Sequence, residues 1–132
     1  MMERRIINPW SWQDKFGFVQ ANEISGAART LVCSGQTAID ADGNVIHSGD
    51  IAAQLKIALD NLEEVLHKAD FSLSDVVRMI IYTTDVDKLI SVYESMAARL
   101  AQAKCQTTQT LVGVARLAFP DLMVEIEATA MR

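Results

Sequence analysis

Apolar and polar side chains alternate near the end of the chain, where residues 122–130 read LMVEIEATA. Alternation with a period of two predicts a β-strand with one apolar face and one polar face. The polar face carries Glu125 and Glu127, whose side chains point to the same side of the sheet and lie about 6.6 Å apart along the strand. Two interpretations of this acidic face stay open: it is solvated, or it lines a cleft between subunits.

Two segments show the periodicity of amphipathic helices. Residues 51–69 carry apolar side chains at helical spacing, and Asp50, directly before them, fits an N-cap. Residues 87–103 show a second apolar stripe, with Asp85 or Asp87 as its cap. The pattern therefore predicts two helices of similar length, separated by a short stretch of chain.

Short apolar runs between turn residues predict the strands. Residues 76–84, VVRMIIYTT, are β-branched and almost continuously apolar, which is typical of a buried central strand. The other predicted strands are residues 4–7, 17–24, 30–33, 108–115 and 122–130. The resulting order, β-β-β-α-β-α-β-β, predicts a single α+β domain over residues 1–132, with both helices packed on one face of the sheet.

The sheet face opposite the helices needs cover as well. Leu111, Val112 and Val124 are expected to make this face too apolar for water, in whichever register the strands pack. Glu125 and Glu127 add charge to it. A face that is partly apolar and partly charged, in a small domain, predicts packing between several copies of the chain, with clefts at the seams.

Composition and charge narrow the classes of function. Of the 132 residues 50% are hydrophobic and 22% are charged, and the net charge is −5. An acidic chain without a Lys/Arg-rich run is not expected to bind nucleic acid. Two isolated cysteines and two distant histidines predict no metal site, and no apolar run reaches the ~18 residues of a membrane span. We expect a cytoplasmic protein with no membrane partner.

Three stretches of the sequence resemble the RidA/YjgF family, whose older label is endoribonuclease L-PSP. They read LVCSGQTAIDADGNVIHSGDIAAQLKIALDNLEEVL, DVVRMIIYTTDVD and VGVARLAFPDLMVEIEATA. The elements SGQ, GDIAAQ, ALDNLE, TTDVD, VARL and VEIEA are weak singly but specific together. The resemblance covers residues 29–132, whereas residues 1–28 match loosely.

The resemblance implies a fold, an assembly and a reaction. The fold is chorismate-mutase-like, with a mixed sheet, and the assembly is a homotrimer whose sheets form a central barrel with three clefts between subunits. Well-studied members hydrolyse reactive 2-imino or enamino acids to 2-oxo acids and ammonia, with no metal or organic cofactor. The glutamate that faces the cleft corresponds to Glu125, where a carboxylate can hold and polarise a water molecule.

The chain departs from the family pattern at the substrate-binding positions. Alignment on VGVARL places Gln109 where active members carry an arginine that binds the substrate carboxylate through two parallel hydrogen bonds. Leu111 stands at the position of a common cysteine, Tyr93 near a cleft asparagine, and Phe18 at a cleft tyrosine. The chain thus resembles a branch that lacks the substrate-binding arginine, and its cleft is expected to be more apolar and less cationic.

Other candidate residues have two interpretations each. Ser34 and Gly35 end a strand, where they either contact a ligand or simply form a turn. Trp12, in the predicted loop WSWQDKF, either covers the mouth of the cleft or anchors the loop, and the anchor is favoured. Arg4 and Arg5 lie in the loosely matched part of the chain and stay open as substitutes for the missing arginine.

Two hypotheses about function follow, both with a small-molecule ligand. The first is a cofactor-free hydrolase of an imine, an enamine or a related carbonyl compound, in which Glu125 positions water. The second is a trimeric module that binds a small metabolite without turnover. Because Gln109 carries no charge, the usual 2-imino acids are not the expected substrates. A nuclease ranks third, since the chain lacks a basic groove and a histidine pair.

Overall fold

A computed structural model describes all 132 residues. A four-stranded mixed sheet with two helices on one face forms the body of the domain, and a two-stranded hairpin lies beside it. The order of helices and strands is the predicted one. Their bounds are β1 Glu3–Ile7, β2 Ala21–Ser25, β3 Thr30–Val32, α1 Ile51–Lys68, β4 Val76–Thr83, α2 Val86–Gln102, β5 Thr108–Gly113 and β6 Val124–Met131, with short 3-10 helices at Asp14–Phe16 and Leu73–Asp75.

The pairing of the strands determines which side chains meet the helices. The strand order is β3-β6-β4-β5, in which β6 is antiparallel to β3 and β4 while β4 and β5 are parallel. On β4, Tyr82 is opposite Glu125 of β6, and Met79 is opposite both Ala128 of β6 and Gln109 of β5. Directly opposed residues share a face of the sheet. Glu125 and Gln109 therefore lie on opposite faces.

Both helices begin at aspartate caps. The Asp50 carboxylate accepts a hydrogen bond from the backbone N–H of Ala53 at 3.1 Å, and Asp85 accepts one from Lys88 at 3.1 Å. Each bond satisfies an N–H that has no partner inside its helix. Of the two candidates for the second cap, the structure selects Asp85. Neither helix is long and apolar enough to cross a membrane.

One apolar core fills the space between the helices and the sheet. The alternation in β6 buries Val124, Ile126, Ala128 and Ala130, each no more than 4% exposed. Their polar neighbours in sequence are only partly buried, on the other face. The arrangement of both helices on one face of a mixed sheet, which the sequence predicted, is confirmed.

The prediction for the open face was wrong for two of its three apolar residues. Val124 is fully buried on the helix side, and Leu111 is opposite Ile81, which places it on the helix side at the β5 edge. β5 reads TQTLVG, and its two adjacent apolar residues give no alternation from which its faces could be predicted. Val112 does belong to the open face. Val32, which is 77% exposed, lies there too, so the face is still partly apolar.

The N-terminal part of the chain departs most from the predicted elements. The second strand is Ala21–Ser25 and not 17–24, and upstream of it only Val19 bridges to β5, at Thr108. The predicted loop over residues 10–16 ends in a 3-10 helix. This segment therefore runs alongside the β5 edge of the domain.

A buried glutamine fixes the start of β6. Gln54 of α1 is fully buried. Its Nε2 donates hydrogen bonds to the carbonyl oxygens of His47 at 3.3 Å and Asp121 at 2.8 Å, and its Oε1 accepts one from the N–H of Met123 at 2.8 Å. These bonds satisfy backbone groups just before the strand begins. They hold the chain two residues before Glu125.

We expect Gln54→Leu to lower the free energy of unfolding by about 2–4 kcal/mol, because it leaves several buried backbone groups without partners. Urea unfolding measures the change. Gln102→Leu is the matched control, since this glutamine is exposed at the end of α2, and its effect should stay within about 0.5 kcal/mol. A loss no larger than the control's would show that these bonds do not hold the entrance to β6.

Candidate functional site

Glu125 packs against a glycine on the open face of the sheet. The backbone of Gln36 exchanges hydrogen bonds with Ile126 at 2.7 and 2.9 Å, which holds residues 34–36 beside β6. A Cβ on Gly35 would lie 2.4 Å from Glu125 Oε1 and 2.6 Å from its Cδ. Only glycine leaves the carboxylate in this position, so the SGQ segment shapes its surroundings.

The electrostatics around Glu125 favour its neutral form. Burial raises the pKa of Glu125, and the negative charge of Glu127 raises it further. The carboxylate of Glu127 accepts a hydrogen bond from the Tyr82 hydroxyl, whereas Glu125 receives no hydrogen bond within the chain. A free carboxylate with a raised pKa is a better proton acceptor than an ordinary surface glutamate.

A separate pocket lies on the other side of the sheet, between β5, α2 and the segment before β2. Its volume is about 240 Å³. Four residues that the sequence proposed as substrate-binding line it: Phe18, Tyr93, Gln109 and Leu111. The structure thus brings together side chains from three distant parts of the chain.

Three further residues complete the wall of this pocket: Trp12, Phe16 and Ile90. The rings of Trp12 and Phe18 meet edge to face with centroids 5.8 Å apart, and those of Phe16 and Tyr93 with centroids 6.5 Å apart. Ile90 lies one helical turn before Tyr93, and this spacing was the signal in the sequence that could have identified it. For Trp12 the interpretation as a cleft residue, the less favoured one, agrees with its place in the wall.

Gln109 is the one amide in an otherwise apolar and aromatic wall. Its Nε2 is shielded from solvent and has no hydrogen-bond partner in the chain. A buried amide donor without an acceptor costs roughly 1–3 kcal/mol. Rotation of the amide about its terminal torsion angle would present this N–H group to the pocket, where an acceptor atom of a ligand would remove the cost.

The described side chains offer neither a cation in the pocket nor a metal site. The guanidinium of Arg4 donates to the carbonyl oxygens of Ser74 at 3.1 Å and Val76 at 2.9 Å, which ties β1 to the body of the domain. Arg5 pairs with Glu23 on the surface of the hairpin. Within the chain, both arginines are therefore engaged elsewhere. No three His, Cys, Asp or Glu side chains are placed to hold a metal ion.

The seven predicted site residues thus form two groups within one chain. Glu125 lies with Gly35 and the neighbouring, exposed Ser34 on the open side of the sheet. Gln109 and the other three line the pocket on the helix side. A single chain keeps a possible base and a possible binding pocket on opposite faces of the sheet.

Comparisons with known proteins agree with this architecture. The sequence model of the family described as endoribonuclease L-PSP matches residues 15–132. The crystal structure of a protein of unknown function of the conserved Rid family, from Yersinia pestis, matches with a TM-score of 0.89. The two sequences are 34% identical, and the match covers 98% of each chain.

Two curated proteins are similar over most of their length. A RutC family protein of Pyrococcus horikoshii is 32% identical over 106 residues, which is 80% of this chain and 82% of the relative. The 2-iminobutanoate/2-iminopropanoate deaminase of Escherichia coli is 27% identical over 103 residues, or 77% of this chain and 79% of the relative. Both matches extend across most of the domain.

The raised pKa of Glu125 can be tested by titration. The midpoint of the Glu125 titration should lie above the ordinary pKa of a glutamate side chain, because burial and the charge of Glu127 raise the pKa of Glu125. Glu127→Gln should lower the pKa of Glu125 by removing a nearby negative charge. Gly35→Ala should lower it by pushing the carboxylate toward water.

NMR titration of the glutamate side-chain carboxyl carbons measures these changes. Glu64→Gln, on the exposed surface of α1, is the control and should leave Glu125 unchanged. A Glu125 pKa at the ordinary value, unmoved by either variant, would contradict this description of the site.

Proposed function

The chain belongs to the endoribonuclease L-PSP family, which includes the Rid and YjgF proteins, as its sequence indicated. From this premise we propose that it is a homotrimer with clefts between its subunits. In these clefts it hydrolyses a small imine, an enamine or a related carbonyl metabolite. The observation that carries the proposal is the Glu125 carboxylate, which packs on Gly35, has a raised pKa and is free of hydrogen bonds within the chain.

The proposed reaction uses Glu125 as a proton carrier. Water attacks the imine carbon, and the carboxylate of Glu125 takes a proton from the attacking water. Glu125 then passes a proton to the imine nitrogen, and the product is a carbinolamine. Glu125 then takes the hydroxyl proton and returns a proton to the amine as the C–N bond breaks. A carbonyl compound and ammonia leave, and the carboxylate is regenerated. A group with a raised pKa suits both directions of this transfer.

Assembly is part of the proposal because one chain separates the two halves of the site. The sheet has unlike edges, with β3 at one side, near Gly35 and Glu125, and β5 at the other, near the pocket. Contact between unlike edges of successive copies is head-to-tail, and such contacts form a closed ring when the rotation from one copy to the next closes. A ring of three would set Glu125 of one copy beside the Gln109 pocket of the next.

The pocket argues against 2-imino acids as substrates. A substrate carboxylate would enter a wall whose lining residues include one neutral amide and no cation. The ammonium of Lys15 lies over the Phe16 ring, 5.2 Å from its centroid, and does not line the pocket. Loss of a charged pair from a desolvated site weakens binding by roughly ten- to a thousandfold. We therefore propose an uncharged substrate. Binding of a small metabolite without turnover is the second candidate, and the unpartnered amide of Gln109 favours it as much as it favours catalysis.

We expect the protein to be a trimer in solution. Light scattering behind size exclusion should give three times the chain mass of 14.5 kDa at micromolar concentration. The partly apolar open face around Val32 supplies the physical reason, because such a surface is stabilised by burial against another copy. A monomer mass under these conditions would contradict the proposed site.

We also expect the protein to accelerate hydrolysis of 2-aminoacrylate little or not at all, because Gln109 cannot form an ion pair with its carboxylate. A coupled assay in which a pyridoxal-phosphate enzyme releases 2-aminoacrylate measures this, with an arginine-bearing relative as the positive control. Two uncharged imines, released from propylamine and from 2-phenylethylamine by an amine oxidase, should be hydrolysed faster with the protein than with its Glu125→Gln variant. Equal rates with both proteins would leave the binding module as the function.

A further inference from the structure

The size and the side chains of the pocket lined by Gln109 indicate which ligand it binds. We infer that it selects an uncharged molecule that carries a phenyl-sized apolar group together with a carbonyl or similar acceptor oxygen. This inference rests on the proposed function, because it names the substrate class of that same site.

The size of the pocket sets the apolar part of the ligand. An engineered apolar cavity of about 150 Å³ is known to hold benzene, and this pocket has about 240 Å³. It therefore has room for an aromatic ring and a short polar substituent, and a two- or three-carbon metabolite would leave much of it unfilled.

The side chains in the wall of the pocket also favour an aromatic ligand. Trp12, Phe16, Phe18 and Tyr93 surround the space, with two edge-to-face contacts among their rings at 5.8 and 6.5 Å. Rings in such arrangements favour a further ring or a branched apolar group between them. In the single chain Trp12 and Ile90 are 56% and 53% exposed, so covering them, by a ligand or by the neighbouring copy, removes apolar surface from water.

Gln109 supplies the polar part of the specificity. Its Nε2 is buried with no acceptor in the chain, and sites with an unpaired buried donor reject ligands that cannot satisfy it. Once the amide has rotated toward the pocket, a neutral carbonyl oxygen of the ligand satisfies this donor. A carboxylate also accepts the bond, but no lining residue is a cation, and the exposed Lys15 lies over the Phe16 ring, 5.2 Å from its centroid. Burial of the carboxylate's charge in this wall is therefore unfavourable.

Three probes separate these contributions in calorimetric titrations of the assembled protein. Phenylacetamide carries the ring and a neutral carbonyl, phenylacetate replaces the amide by a charge, and acetamide lacks the ring. We expect phenylacetamide to bind at least about tenfold more tightly than either of the others. Gln109→Arg should reverse the order of the two aromatic probes, because a guanidinium forms a bidentate pair with a carboxylate.

Two tryptophan variants place the binding in this pocket. Ile90→Trp extends a large ring from the exposed rim into the space and should abolish binding of phenylacetamide. Ser95→Trp is the matched control, because Ser95 is exposed on the same helix but does not line the pocket. It should leave the affinity unchanged.

Equal binding of phenylacetamide and phenylacetate, or binding that survives Ile90→Trp, would overturn the inference. The outcome is independent of catalysis. Phenylacetamide bound as described, with no hydrolysis of uncharged imines, would refute the hydrolase and leave the pocket as inferred. Hydrolysis of uncharged imines without any preference for phenylacetamide would refute the inferred ligand class and leave the hydrolase as proposed.

Discussion

The register of β6 is the constraint on which the rest of the molecule depends. Four small or branched apolar residues of this strand fill the core beneath the helices, so Glu125 and Glu127 have to face the other way. A slip by one residue would exchange the two faces, burying both carboxylates and exposing the core. Gln54, from α1, holds the backbone directly before the strand. The register of β6 that packs the core therefore also sets the position of the proposed base.

The same register separates the reactive carboxylate from the pocket. Gln109 is opposite Met79 on the helix side, and Glu125 is opposite Tyr82 on the open side. If both act on one ligand, they act from different copies of the chain. Assembly then becomes a requirement for function.

The sequence predicted the elements of the fold because their signals are local. Caps such as Asp50 and the alternation in β6 act within a few residues of chain, and both were confirmed. The two faces of β5 were harder to predict, because its adjacent apolar residues Leu111 and Val112 break the alternation of a strand. These faces follow only from the pairing of β5 with β4. The pocket was harder still, since Trp12 and the residues of α2 meet only after the tertiary fold has formed.

We propose that one ligand lies between the pocket of one copy and Glu125 of the next. A crystal structure of the assembled protein soaked with phenylacetamide tests it most directly. We expect the ring among Trp12, Phe18 and Tyr93 of one copy, the carbonyl oxygen at Gln109 Nε2, and Glu125 of a neighbouring copy facing the carbonyl carbon. A ligand that contacts only one chain, with every Glu125 remote from it, would contradict the account.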